Sequence, residues 1–335
     1  MKRVFLMALF ALPSFAQVLT DTPHGVVVAH DARIEWAGRS VPGVEHATFI
    51  TADADRAVVL DALNNEAVIA DLARGTAQRL RTAETPIAAI FANRELYILA
   101  RDARVLQHVG GEDTPLDADP SHLAQAGGRV FVYSRTAGVL REIGGEKVEV
   151  PPFASDFEIA GEQFFLTYPR EGKVVIGRIG PIGQIGRPIG PMSPIRPIRP
   201  TTLNIGSVPT DLAFAGGGTA LTARILAVAD PSAKRVWLAE STQSTTEAVA
   251  RGFLRGLLGL GLFGGRASQF PTGVDRVETR GKVWIAYDSS TRTLYHFTRK
   301  QSTVLARGVA PGAFALTEDG VAWWDGTSVA QKRLR

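Results

Sequence analysis

Six ionisable residues stand where chemistry could be assembled: Glu45, His46, His122, Asp156, Asp211 and Asp275. Each follows a proline by a few positions (Pro42, Pro120, Pro152, Pro209 or Pro271) and opens a short, mostly small and apolar segment. They are far apart in the chain, so they make a site only if the fold gathers the segment starts. Carboxylates and imidazoles meeting at one point would hold a divalent metal or supply an acid and a base. The competing reading is structural, because Asp and Ser at strand starts also cap turns and bond to local backbone.

No local motif offers an alternative. The six histidines (His24, His30, His46, His108, His122, His296) are scattered and form no ligand pair. H-E-x-x-H, G-x-S-x-G and G-x-x-x-x-G-K are missing, and Asp53-Ala54-Asp55 starts like a calcium loop but lacks the later glycine. Residues 259–264 (GLGLFG) match G-x-G-x-x-G literally. That fingerprint works where a strand ends and a helix begins in a β-α-β unit, and this tract lies between strand pairs, so it binds no dinucleotide.

The elements that must position the six residues are repeats. Residues 56–70 (RAVVLDALNNEAVIA), 95–109, 129–143, 225–240 (ILAVADPSAKRVWLAE) and 282–298 (KVWIAYDSSTRTLYHFT) share one design. A β-branched or aromatic strand enters a polar turn and a second strand runs back, which is a hairpin. Pro42, Pro86, Pro120, Pro152, Pro209, Pro271 and Pro311 precede the segments HATFI, IAAIF, HLAQA, DFEIA, DLAFA, VDRVE and AFALT. A proline cannot donate to a ladder and suits a crossover between sheets, while small residues suit a crowded innermost strand. Allowing for two inserts, the spacing approaches about 40 residues, the length of a four-stranded blade. The fold class is therefore all-β, a β-propeller of about seven four-stranded blades, or eight if Thr22-Pro23-His24 opens another. The C-terminal strands 313–317, 321–324 and 329–334 lack a fourth, which residues 26–30 would supply, so that N- and C-terminal strands close the ring. The aromatics Phe131, Trp237, Trp284, Tyr295, Trp323 and Trp324 are expected to pack between blades.

The repeat resembles the exported YVTN/NHL-like propeller repeats through VADPSAKRVWLAE and AYDSSTRTLYHF. Similar exported propellers include metal-dependent lactone hydrolases. That resemblance implies a lactonase-like hydrolase with its site at the channel mouth as the alternative to a non-catalytic propeller.

Residues 1–16, with Lys2, Arg3, a nine-residue apolar run and Ser14-Phe15-Ala16, read as a signal peptide. Residues 17–335 then form a single periplasmic or secreted domain. The run is too short to span a bilayer, and no later segment is long enough, so the chain is not transmembrane. There are no cysteines, and the core must suffice without disulfides. Without Lys2 and Arg3, 35 basic residues face 33 acidic ones. Seven arginines lie in or beside two inserts, residues 176–200 (Pro/Gly/Ile/Arg-rich) and 252–265 (Leu/Gly-rich), leaving an acidic body. No basic face with interleaved aromatics marks a nucleic-acid binder. The prolines of 176–200 demand an extended loop. Residues 252–265 carry enough apolar area for a packed flap or peripheral membrane contact. The leading expectation is a non-catalytic propeller binding a protein, peptide or envelope component through its channel face and inserts.

Overall fold

Each repeat folds as an antiparallel sheet whose strands follow chain order, and eight such sheets stand around one axis. The computed structural model describes residues 17–160, 163–179, 201–204, 208–215, 224–241, 266–281, 283–298 and 301–334. Blades 1 to 8 span residues 18–42, 49–81, 86–115, 120–149, 156–204, 211–269, 276–307 and 314–333; seven have four strands and the last has three. The inner strands are Val18–Thr22, Phe49–Ala52, Pro86–Ala92, Pro120–Ala126, Asp156–Ala160, Asp211–Ala215, Arg276–Arg280 and Phe314–Leu316. Each packs against the next, and the last against the first.

The second strand of each blade carries the apolar load because neighbouring blades cover both its faces. All six residues of Gln163–Tyr168 are buried, as are five of six in Arg56–Asp61. Such strands read as continuous apolar runs rather than alternating ones. Three of them end in fully buried aspartates, Asp61, Asp230 and Asp288. Asp288 Oδ1 accepts the N–H groups of Ser290 and Thr291 at 2.9 and 3.2 Å. Asp61 Oδ1 accepts those of Leu63 and Asn64, both at 3.0 Å. These side chains close the hairpin that the Asp-containing turns encode.

The ring has eight blades, and the additional one is N-terminal. Thr22-Pro23-His24 does not open a blade; it is the first hairpin turn, where Thr22 Oγ1 donates to the Gly25 carbonyl at 2.7 Å and Gly25 has φ +99°. Strand Gly25–His30 therefore pairs with Val18–Thr22 and Arg33–Trp36 in its own blade and does not complete the last one. The terminal blades instead close the ring side by side, with Leu19 N–H donating to the Gly312 carbonyl at 3.2 Å. Arg280 of blade 7 clamps this junction, reaching Asp21 of blade 1 at 2.6 Å and the Leu316 carbonyl of blade 8 at 2.8 Å.

The Pro/Gly/Ile/Arg insert begins later than its composition suggests. Ile176 is buried in strand Lys173–Arg178, paired with Phe165 and Thr201, because the alternation of the strand continues into the first residues of the tract. Residues 180–200, the whole of 252–265, and 1–16 lie outside the described residues. The described strands that flank the two inserts in the chain are the third and fourth of blade 5 and the third and fourth of blade 6. Among the described residues no helix is long and apolar enough to cross a membrane.

Candidate functional site at the channel mouth of blades 4 to 7

The pairing of inner with second strands puts all eight inner strands in one register. The residue opposite the penultimate position of the second strand is Val18, Phe49, Ala88, His122, Asp156, Asp211, Arg276 and Phe314 in blades 1 to 8. Polar and ionisable groups thus occupy four consecutive blades, 4 to 7, and apolar ones the other four. Two residues on, the same face of the strand carries Glu158 in blade 5 and Glu278 in blade 7. The intervening residues (Leu123, Phe157, Leu212, Val277) are apolar. Period-2 alternation therefore turns every charged group of this set into the seam with the following blade, at the channel edge.

Within these seams the acidic groups staple neighbouring blades. Asp156 Oδ2 accepts the Leu212 N–H of blade 6 at 2.9 Å, and Asp211 Oδ2 accepts the Val277 N–H of blade 7 at 2.6 Å. A second line of bonds runs alongside. His122 Nε2 lies 3.2 Å from the Ser155 carbonyl, Ser155 Oγ donates to the Thr210 carbonyl at 3.0 Å, and Thr210 Oγ1 to that of Asp275 at 2.9 Å. Side-chain oxygens thus satisfy backbone groups where the crossovers turn away from the ladders.

The electrostatics are dominated by enclosure and like charge. Burial, reinforced by the charge of Asp156 and then Glu278, pushes Glu158 up to about 8. The Ile159 N–H opposes this rise by bonding the carboxyl group. Burial and Asp156 likewise raise Asp211 well above the carboxylate range. His122 is lowered by burial, which the charge of Asp156 only partly offsets. Arg276 is raised chiefly by Glu278, with which it pairs at 2.6 Å, and its guanidinium lies 5.2 Å over the Phe314 ring. The Arg276 side chain keeps 47% of its surface open to water although protein surrounds it, as expected of a group lining a channel. Among the described residues the wall therefore holds four carboxyl groups, Asp156, Glu158, Asp211 and Glu278, against the one guanidinium of Arg276.

Three of the six sequence candidates, His122, Asp156 and Asp211, belong to this wall. Asp275 sits one residue earlier and turns away, accepting Ser289 N–H at 3.0 Å and bonding the Ser289 hydroxyl. Glu45 is exposed in the crossover into blade 2, on the opposite side of the ring. His46 lies beside it, its N–H donating to Asp61 Oδ2 at 2.9 Å and its Nδ1 3.2 Å from Asn64 Nδ2. Among the described residues no three His, Asp or Glu side chains are placed to hold a metal ion. Glu158, Arg276 and Glu278 were not among the candidates. Their signal was the alternation itself, two residues on from Asp156 and one and three on from Asp275.

The mouth also presents apolar groups. Phe153 and Val208 each stand three residues before the first wall residue of blades 5 and 6, and are 56% and 39% exposed. Phe153 has φ +67°. Its turn is fixed on both sides: Phe153 N–H donates to the Arg135 carbonyl at 2.9 Å, and Ala154 N–H to the Tyr133 hydroxyl at 3.0 Å.

No protein-family model and no curated protein matches this chain. Solved structures do resemble it. Virginiamycin B lyase from Staphylococcus aureus shares 10% identity over 82% of this chain and 89% of that one, with a TM-score of 0.55. Dihydro-heme d1 dehydrogenase NirN, in complex with DHE, gives a TM-score of 0.59 at 8% identity over 96% and 73% of the two chains. The β-propeller domain of Cps50 (Swd1) from Myceliophteria thermophila gives 0.55 at 10% identity over 84% and 99%. What these comparisons establish is the fold, a β-propeller.

Proposed function

We propose that the chain is an exported, non-catalytic propeller that binds a protein or peptide partner at the channel mouth of blades 4 to 7. The observation that carries this reading is the division of the ring, with ionisable groups on four successive inner strands and apolar residues on the others. Stapling blades together does not require such segregation, since blades 8, 1, 2 and 3 pack with Phe314, Val18, Phe49 and Ala88 at the same position. Binding is preferred to metal-dependent hydrolysis because Asp156 and Asp211 each spend an oxygen on a neighbouring blade's N–H. Three ligands on one ion would have to come from groups already so engaged. Export rests on residues 1–16, and mature protein starting near Gln17 in a periplasmic or secreted fraction supports it. Residues 252–265 are proposed as a peripheral membrane or envelope contact, which their deletion tests by vesicle sedimentation. For the central reading, an envelope extract is passed over wild-type protein and over the Asp156→Asn/Glu158→Gln variant, matched for melting temperature. A protein captured by the first and lost from the second supports the reading; an identical set on both overturns it.

A further inference from the structure

The position three residues before the wall is held in the left-handed region in three successive blades. Thr85 has φ +58°, Asp119 φ +53° and Phe153 φ +67°. The crossover geometry thus imposes that conformation, and it is one that favours Gly, Asn and Asp and disfavours bulky residues. Blade 4 follows this preference with Asp119. Blade 5 places a phenylalanine there and leaves its ring more than half exposed. Neither backbone preference nor burial accounts for that residue. The next crossover also exposes an apolar residue, Val208, at the same distance before Asp211. Three residues on from these two the inner strands begin, and their wall is acidic: Asp156, Glu158 and Asp211 on blades 5 and 6, and Glu278 paired with Arg276 on blade 7.

We infer that Phe153 and Val208, together with the carboxyl groups of Asp156, Glu158 and Asp211, form the docking surface for a basic, apolar peptide segment of the partner. An aliphatic or aromatic side chain of that segment covers Phe153 and Val208, and an adjacent lysine or arginine enters the mouth. Charge complementarity selects this occupant, because Asp156, Glu158 and Asp211 crowd one another while Arg276 is paired with Glu278, and a cation entering among them relieves that like-charge repulsion. The inference rests on the proposed binding role and specifies its partner.

The test uses a labelled peptide of repeating Lys-Leu-Gly triplets, with matched peptides carrying Glu for Lys or Ser for Leu, followed by fluorescence anisotropy. Wild-type protein binds the Lys-Leu-Gly peptide, the Glu peptide fails to bind, and the Ser peptide binds at least about tenfold more weakly, the scale of one lost apolar anchor. Phe153→Asn weakens binding to a similar degree while leaving the melting temperature unchanged or higher, since Asn tolerates positive φ. A residue present only for stability would show the reverse. Equal binding of the Lys and Glu peptides, or wild-type affinity in Phe153→Asn, overturns the inference. If no peptide binds while the extract experiment still shows a partner lost from the Asp156→Asn/Glu158→Gln variant, this inference fails and the binding role stands. If that partner is retained, the binding role itself fails.

Discussion

Replacing Glu158 by Gln should stabilise the protein at alkaline pH and leave it nearly unchanged in acid. Glu158 is held up to about 8, against the ordinary 4.5, by burial and by the charges of Asp156 and Glu278. Between those values the native state keeps a proton that the unfolded chain has released, so stability falls as pH rises across this window. From pH 5 to pH 8 the loss is about 3 kcal/mol, reduced to ~2 kcal/mol by the screening of channel water. Gln is close in shape to the protonated acid and cannot ionise, so the variant escapes this loss. For a chain of this length the melting temperatures should diverge by roughly 4 °C over the interval. Thermal unfolding of both proteins, followed by circular dichroism at pH 5, 6, 7 and 8, measures the divergence. Parallel curves would refute the claim that like charge and enclosure govern this wall.

Three other predictions concern what holds the ring. Asp211→Ala should cost about 1–3 kcal/mol by stranding the Val277 N–H, whereas Asp211→Asn keeps an acceptor and should cost less than half as much in urea unfolding. Asp288→Ala should cost a similar ~1–3 kcal/mol by opening the blade 7 hairpin, read from its denaturation midpoint. Burial opposes the Asp288 charge, but bonds from Ser290, Thr272 and Thr291 prevail and hold it down at about 2, so its stabilisation is lost as pH falls from 3.8 towards 2 and the alanine variant should lack that part of the acid transition. Arg280→Ala should cost only about 1 kcal/mol because the side chain is half exposed, yet it should raise hydrogen exchange selectively in blades 1 and 8, where the ring closes.

The repeat was legible because the second strands are largely buried on both faces and three of them end in a turn-forming aspartate, which leaves a run such as RAVVLD or VWIAYD. The inner strand of blade 1 escaped notice because VLTDT has three polar residues, Thr20, Asp21 and Thr22, and directly follows the segment read as a signal peptide. Prolines marked the remaining inner strands well enough to find His122, Asp156 and Asp211. They could not fix register to the residue. That is why Asp275 was chosen over Arg276, one position later, and why Glu158 was passed over within DFEIA. Which side of a seam a group faces depends on strand pairing, and only coordinates supply that. The left-handed backbone at Phe153 is likewise a property of the crossover, with no signature in the residue that occupies it.

Hydrogen exchange of the protein with and without its bound partner, or the Lys-Leu-Gly peptide in its place, tests the central claim most directly. Protection concentrated in the crossovers and inner strands of blades 4 to 6, around Phe153, Asp156, Val208 and Asp211, is the predicted result. Protection confined to blades 8, 1 and 2, or to the outer strands, would contradict it.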